Sequence, residues 1–449
     1  MSQPEDQEVA IEDATGVQRR TFIKTSIAAA AAATVGLPLP DGAVAQDPGA
    51  GWSWDKGVCR FCGVGCGLEV ATKQGRVVAV RGDAANPVNR GLLCVKGYAN
   101  AQIHYGEDRL TRPLMRMKNG RFDKSGEFTP VSWEQAFDEM ERRFKAAHAA
   151  LGPTGVAIMG SGQYTVQEGY AAAKLTKAGW RSNNIEPNAR HCMASAVAGF
   201  IQTFGIDEPS GAYDDIELTD TVVTWGANMA EMHPMLWARV VDKKVANPDY
   251  RLINLTVFGN KTSEMADDEI IFKPNTDLAI LNYIAREIIR RGAVDRAFVD
   301  RHCVFATGPA DIGYGMRGDA AHAYDAERDT AARQKEAVLT REEAIGRRLD
   351  PDKEHRLPQA AAGRAGQHWR ITFDDFKKAV EPYTLDFVAE LSRGDASESL
   401  ESHKKKLARL ADVYAERGRK VVSFWCMGFN QHGRGTWVNE QIYMAHLLT

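Results

Sequence analysis

The sequence predicts an α/β chain in which a small antiparallel β domain precedes parallel α/β domains, and three observations carry that prediction. First, the stretch from Trp52 to about Pro113 is Gly-rich with short alternating runs, Gly67-Leu68-Glu69-Val70-Ala71-Thr72 and Arg76-Val77-Val78-Ala79-Val80, the pattern of small antiparallel strands. Second, apolar strands then recur ahead of Gly-bearing turns and helices. Val156–Met159 precedes Gly160-Ser161-Gly162-Gln163, and Thr221–Trp225 precedes Gly226-Ala227-Asn228 and a helix from about Pro234. Leu252–Leu255 precedes Thr256, and Val421–Trp425 precedes Cys426-Met427-Gly428. Such repeats build a parallel sheet, and parallel sheets take ligands at the carboxyl ends of their strands. Third, the helices are signalled at their starts. Ser132 and Gln135 form a capping box, and Trp133, Ala136, Phe137, Met140 and Phe144 share one face, expected to pack into the core. Further helices are expected over Phe373–Leu391 and Leu400–Arg417.

A chain of 449 residues holds two or three domains, and its net charge of −3 gives no general attraction to nucleic acid or to an anionic membrane. The first 45 residues read as an export signal outside the fold. Arg19-Arg20-Thr21-Phe22-Ile23-Lys24 is a twin-arginine stretch, Ile27–Leu37 is apolar, and Ala43-Val44-Ala45 resembles a cleavage site. That apolar run is too short to span a bilayer, and nothing after residue 45 approaches transmembrane length, so a periplasmic chain without a permanent membrane anchor is expected. Residues 318–367 are Ala-, Arg-, Asp- and Glu-rich, and are expected to form an exposed helical or flexible excursion.

Four cysteines, Cys59, Cys62, Cys66 and Cys94, stand as C-x2-C-x3-C-x27-C. A triplet on one loop with a fourth thiolate returned from a distance can enclose an iron–sulfur cluster, and Gly57, Gly63, Gly65 and Gly67 favour tight turns around it. A structural zinc site usually pairs two C-x2-C-like knuckles, and a chain this long can bury a core without disulfides, so both are weaker rivals. Twin-arginine export carries proteins already loaded with cofactor, so the signal and the cysteines support one another. There is no G-x-G-x-x-G for a nicotinamide dinucleotide and no C-x-x-C-H for haem. Cys192, in Asn188-Ala189-Arg190-His191-Cys192-Met193, is by residue chemistry alone either an inert packer or a thiolate favoured by Arg190 and His191. Cys303 and Cys426 read as structural.

Longer stretches carry a resemblance. CRFCGVGCGLEV, NRGLLCVKGY, YGEDRLTRPL, RSNNIEPNARHCMASAVAGF, WGANMAEMHP and WCMGFNQHGRGTW resemble the molybdopterin oxidoreductases of the dimethyl sulfoxide reductase type, in particular catalytic subunits that reduce nitrate in the periplasm. The resemblance implies a formate dehydrogenase-like fold divided into a [4Fe-4S] domain over 46–113, a pterin domain over 114–190, resumed at 421–449, and a dinucleotide domain over 191–420. It implies that Cys59, Cys62, Cys66 and Cys94 bind a [4Fe-4S] cluster and that Lys96 lies between cluster and pterin. Cys192 would ligate molybdenum held by two molybdopterin guanine dinucleotides. Gln163 and Asn188 would contact pterin. Trp225-Gly226-Ala227-Asn228-Met229-Ala230-Glu231-Met232, Thr256-Val257-Phe258-Gly259-Asn260, Asn275-Thr276-Asp277, Met427 and Gln431 would contact the dinucleotide arms, and Met193 and Asp207 would line the substrate funnel. The implied reaction is the two-electron reduction of nitrate to nitrite. Its implied partners are a small c-type cytochrome as donor, the twin-arginine machinery and a maturation chaperone. A formate dehydrogenase, another oxyanion reductase, a non-catalytic iron–sulfur carrier and a zinc-stabilised module are the alternatives. Thr256–Lys261 departs from the usual text of that turn, and the chain stops at Leu447-Leu448-Thr449, midway through the pattern. A fragment, inactive by itself, is therefore expected.

Overall fold

The structure is a computed structural model that describes residues 51–307 and 369–449; the expected signal (1–45) and charged excursion (318–367) lie outside the described residues. The described residues divide into two compact units, residues 51–55 with 69–79, and residues 56–68 with 80–307 and 369–449. Strands β1 (Ser53–Val58), β2 (Gly67–Lys73) and β3 (Arg76–Gly82) form a small antiparallel sheet in that order. The first unit contains the turn from β2 to β3, where Gln74 and Gly75 both take positive φ (50° and 75°), the two-residue geometry whose twist matches a hairpin.

The second unit opens on the cysteine loop and the short helix α1 (Val95–Tyr98). A second antiparallel sheet follows, ordered β5-β4-β6, from β4 (Leu114–Lys118), β5 (Arg121–Phe122) and β6 (Glu127–Pro130). Asn119 and Gly120 (φ 52° and 73°) close its hairpin, the sequence signature such turns favour. Helix α2 (Trp133–Leu151) starts at the expected capping box, with the Ser132 side chain accepting from the Gln135 N–H. Its apolar face does not enter the core. Trp133, Phe137 and Met140 are 60%, 57% and 50% exposed, because no described element covers them; Trp133 and Phe137 contact each other at 5.6 Å between ring centroids, and Phe144 meets Trp180 at 4.9 Å.

The predicted strand at Val156–Met159 is β7 (Ile158–Met159), which pairs in parallel with β8 (Ile185–Glu186), ahead of α3 (Val166–Lys174). Helices α4 (Asn188–Cys192), α5 (Ala194–Phe204) and α6 (Asp215–Leu218) lead to the main sheet. There β9 (Thr221–Trp225), β10 (Arg251–Thr256), β11 (Asp268–Ile271) and β14 (Val421–Trp425) run parallel in the order β11-β10-β9-β14. The register is even across the sheet: Trp225 stands opposite Leu255 on one side and Trp425 on the other, and Thr256 opposite Ile271. All four strands therefore release their loops at one edge.

Helices α7 (Met229–Met232), α8 (Pro234–Ala246), α9 (Asp277–Arg290) and α10 (Arg296–His302) come before the two-stranded pair β12 (Ala306–Thr307) and β13 (Trp369–Arg370). After it come α11 (Phe373–Val380), α12 (Leu385–Ser392) and α13 (Leu400–Ala415), and α14 (Met427–Asn430) and α15 (Gly435–Leu447) follow β14. The single helix expected over Phe373–Leu391 is two, broken at Glu381-Pro382-Tyr383-Thr384, where Pro382 cannot donate to a continuing helix and Thr384 caps the next one. One hydrophobic core joins Val223, Trp225 and Leu255 of the sheet to Ile280 and Ile284 of α9, Leu407 and Leu410 of α13 and Val438 and Ile442 of α15. Among the described residues no helix is long and apolar enough to cross a membrane.

Candidate functional site

The cysteine loop is closed by its own backbone, the Cys59 N–H donating to the Cys66 carbonyl at 2.9 Å. Of the four glycines expected to turn it, only Gly65 takes a left-handed φ, 75°. Gly67 is needed for space, since a Cβ there would collide with the Asn86 side chain. Cys59, Cys62, Cys66 and Cys94 line one cavity together with Lys96, Pro234 and Met235. Burial, and then the charges of Cys59, Cys62 and Cys94, push the Cys66 thiol up to about 11. Four such thiolates repel one another unless iron sits between them, which is the donor chemistry of a cluster. Side chains from outside hold the loop. The Tyr213 hydroxyl donates to the Gly63 carbonyl at 3.2 Å, and Asn100 Nδ2 lies 3.3 Å from Cys59 Sγ.

Two links run from this loop toward the predicted pterin and dinucleotide residues. Gln163 accepts from the Arg60 guanidinium (2.9 Å) and donates to the Arg60 carbonyl (3.0 Å), so its carboxamide is tied to the cysteine loop at both ends. Gly162, next to it, packs on Asn188, whose Oδ1 would be 2.9 Å from a Cβ there. Lys96 Nζ reaches the Glu231 carbonyl at 3.5 Å. Burial, and then the positive charge of Lys96, hold the neighbouring His233 below its ordinary value.

The even register gathers the other predicted contacts on one sheet edge. Trp225 to Met232 starts on the last residue of β9, Thr256 to Asn260 on the last residue of β10, Asn275 to Asp277 follows β11, and Met427 with Gln431 follows β14. Gly226 and Gly428 bring the β9 and β14 ends into backbone contact, the Gly428 N–H donating to the Gly226 carbonyl at 3.1 Å. Asn and Thr side chains build the turn after β10. Thr256 Oγ1 donates to the Phe258 carbonyl (2.8 Å), Asn260 Oδ1 accepts from the Thr262 N–H (2.9 Å), and Asn254 Nδ2 donates to Ser263 Oγ (2.9 Å). The Thr262 hydroxyl accepts from the Ala230 N–H at 3.1 Å, joining that turn to the one after β9. Asn228 pairs with Glu231, and Asn275 sits at φ 65°. Asp277 is buried and bound to His432 Nε2 at 2.8 Å. Burial alone would lower the His432 value, but the bond to Asp277 and its charge outweigh that and raise it.

Cys192 ends α4 and faces the end of β14. Its Sγ lies 3.7 Å from Met427 Sδ and 3.6 Å from Gln431 Nε2, and the same carboxamide donates to the Cys192 carbonyl. Met193 breaks the helical run between α4 and α5 (φ −133°, ψ 27°), while Asp207 stands exposed in the loop after α5. Arg190, one of the two neighbours that could favour a Cys192 thiolate, is bound to Glu186 at 2.8 Å; the His191 side chain lies outside the described residues.

With this geometry in place the likeness to known proteins is specific. The family described as Molybdopterin oxidoreductase matches residues 109–449, and the Molybdopterin oxidoreductase Fe4S4 domain matches residues 52–106. The chain belongs to the molybdopterin oxidoreductase family. A periplasmic nitrate reductase of Campylobacter fetus subsp. fetus (strain 82-40) is 59% identical over 439 residues, 96% of this chain and 48% of that protein. The chain thus spans about half the length of the curated relative it matches. The acetylene hydratase from Pelobacter acetylenicus superposes with a TM-score of 0.59 over 87% of this chain and 42% of its own, at 17% identity, a likeness of fold. A [4Fe-4S] cluster and molybdenum held by molybdopterin guanine dinucleotide are the cofactors that this membership brings to the chain.

Residue patterns did not announce Arg60, Asn100, Tyr213 or His432 as members of the site. Asn100 follows Lys96 by four positions, at the end of a helical turn, which marks a cap and nothing more. The other three act across long separations that no spacing encodes.

Proposed function

We propose that the chain is part of the catalytic subunit of a periplasmic nitrate reductase, exported by the twin-arginine route and fed by a small c-type cytochrome. The observation that carries this reading is the 59% identity spread over 96% of the chain, with the four cysteines, Lys96 and Cys192 all in place. In this reading Cys59, Cys62, Cys66 and Cys94 hold the [4Fe-4S] cluster. Lys96 fixes a positive charge between that cavity and the Glu231 carbonyl, where it steadies an electron in passage. Cys192 supplies a soft thiolate ligand for molybdenum. Gln431 and Met427 confine its sulfur, Gln163 and Asn188 meet the pterins, and the turns after β9, β10 and β11 hold the dinucleotide arms. Met193 and Asp207 border the nitrate path. Bound molybdenum supplies the transfer of an oxygen atom from nitrate.

The test uses the full-length polypeptide, loaded with cofactor and driven by reduced viologen. Nitrate consumption with stoichiometric nitrite, and no turnover of formate or selenate, is expected. Preference for formate or selenate would move the assignment to a sister enzyme, and iron without molybdenum would leave an electron carrier. Cys192→Ala in the same protein is expected to abolish nitrate reduction with iron content retained; nitrate reduction retained by that variant would refute the ligand role.

A further inference from the structure

Asn100 points a polar hydrogen at a sulfur of the four-cysteine cavity. Asn100 follows α1, and its Nδ2 lies 2.8 Å from the Gly97 carbonyl, 3.4 Å from the Lys96 carbonyl and 3.3 Å from Cys59 Sγ. The two carbonyls accept hydrogen bonds and cannot donate them, so they fix the carboxamide with its nitrogen inward. That group carries two N–H bonds. One serves the Gly97 carbonyl, the shorter contact, and the other remains for the sulfur.

Resting on the assignment of Cys59 as a cluster ligand, we propose that Asn100 is a positioning residue that raises the reduction potential of the [4Fe-4S] cluster through an N–H···S bond to Cys59. The reason is electrostatic. Reduction adds one electron to the cluster, and the added charge spreads onto its thiolate ligands. A fixed N–H dipole aimed at one of them stabilises the reduced state more than the oxidised one. The dipole is preorganised by the Gly97 contact, so no reorganisation accompanies the electron. It also sits on the turn that carries Lys96, which places the tuning group beside the residue proposed to stand on the electron path.

The experiment compares cluster midpoint potentials, read by electron paramagnetic resonance in a redox titration, for the full-length wild type, Asn100→Leu and Asn100→Ala. Both variants are expected to keep wild-type iron and sulfide content. Their clusters should be harder to reduce by at least about threefold in the one-electron equilibrium, roughly 28 mV. Loss of one exchangeable proton coupling from the reduced-cluster spectrum is expected alongside. Potentials within about 10 mV of wild type, a difference under about 1.5-fold, would overturn the proposal. So would loss of the cluster from both variants, which would make Asn100 a holder of the loop and no more. A wild-type protein without an iron–sulfur spectrum would remove the ligand assignment beneath the proposal, an outcome seen before any variant is titrated.

Discussion

Gly226 and Gly428 offer the sharpest test of how the site edge is built. Each would place a Cβ into the other's backbone: from Gly226 at 2.5 Å to the Gly428 carbonyl carbon and 2.8 Å to the Phe429 nitrogen, from Gly428 at 2.6 Å to the Gly226 oxygen. Backbone held by parallel strands cannot step aside as a flexible side chain can, so a methyl group at either position forces the β9 and β14 ends apart. Overpacking of this kind costs about 1–3 kcal/mol, and loss of the Gly428 N–H bond to the Gly226 carbonyl about 1 kcal/mol more. Gly226 also sits at φ 55°, where a side chain adds about 1 kcal/mol. Gly226→Ala should therefore destabilise by about 3–5 kcal/mol and Gly428→Ala by about 2–4 kcal/mol. The control is Gly418→Ala, at φ 82° with nothing within 4 Å of its Cβ, which should cost only about 1 kcal/mol. Urea unfolding of the cofactor-free protein, followed both by far-ultraviolet dichroism and by tryptophan fluorescence, reads the three midpoints. Trp225 and Trp425 flank the junction and report its opening directly. Equal costs for Gly428→Ala and Gly418→Ala would refute the close approach of the two strand ends.

Arg239, nearly buried, grips Glu217 with two bonds (2.7 and 2.6 Å) and Asp214 with a third (2.7 Å), so Arg239→Met should cost about 2 kcal/mol in urea unfolding after allowance for the partial exposure of Glu217. Arg239 holds the Glu217 carboxyl below its ordinary value, so its stabilisation is present above about pH 4.5 and is lost as pH falls through the lowered value; the variant should lack that acid-side loss in a pH series of midpoints. The raised His432 value acts in the opposite sense, its stabilisation being complete below about pH 6.5 and lost as pH rises through the raised value. In Asp277→Asn that alkaline-side decline should disappear from the same series. Cys66→Ser should lose most of the iron and sulfide found by chemical analysis of the full-length protein, and wild-type iron content would remove Cys66 from the ligand set.

Strand and helix placement was legible wherever a local rule decided it. The capping box at Ser132, the strands ending at Trp225 and Trp425, and the helix beginning at Pro234 all depend on neighbours within a few residues. The apolar face of α2 shows where such rules stop: periodicity told that Trp133, Phe137 and Met140 share a face, but whether another element covers a face is a long-range fact. The same division holds within the site. Cys59, Cys62 and Cys66 are close in sequence and their shared cavity was readable from spacing, whereas the approach of Gln431 to Cys192 spans 239 positions and depends on the register of β14 against β9. Pro382 was visible in the sequence, yet the apolar pattern on both sides of it concealed the break it makes.

The parallel register also explains how residues so far apart can act on one small region. Trp225, Leu255 and Trp425 are in step, so the turns beyond them begin at the same height and a few residues suffice to meet. Gly226 and Gly428 fasten two of those turns backbone to backbone, and Met427, held between Trp425 and Gly428, is thereby set opposite Cys192. On the other side, two attachments join the cysteine region to the predicted pterin and dinucleotide residues: Arg60 to Gln163 by a reciprocal pair of bonds, and Lys96 to the Glu231 carbonyl by one longer contact. The first attachment engages both ends of a carboxamide and so positions the loop. The second keeps a lysine's charge where the cysteine cavity and the turn after β9 meet. Position and charge are thus supplied by different side chains, and a substitution at Arg60 should disturb the placement of the cysteine loop while leaving the Lys96 charge in reach of Glu231.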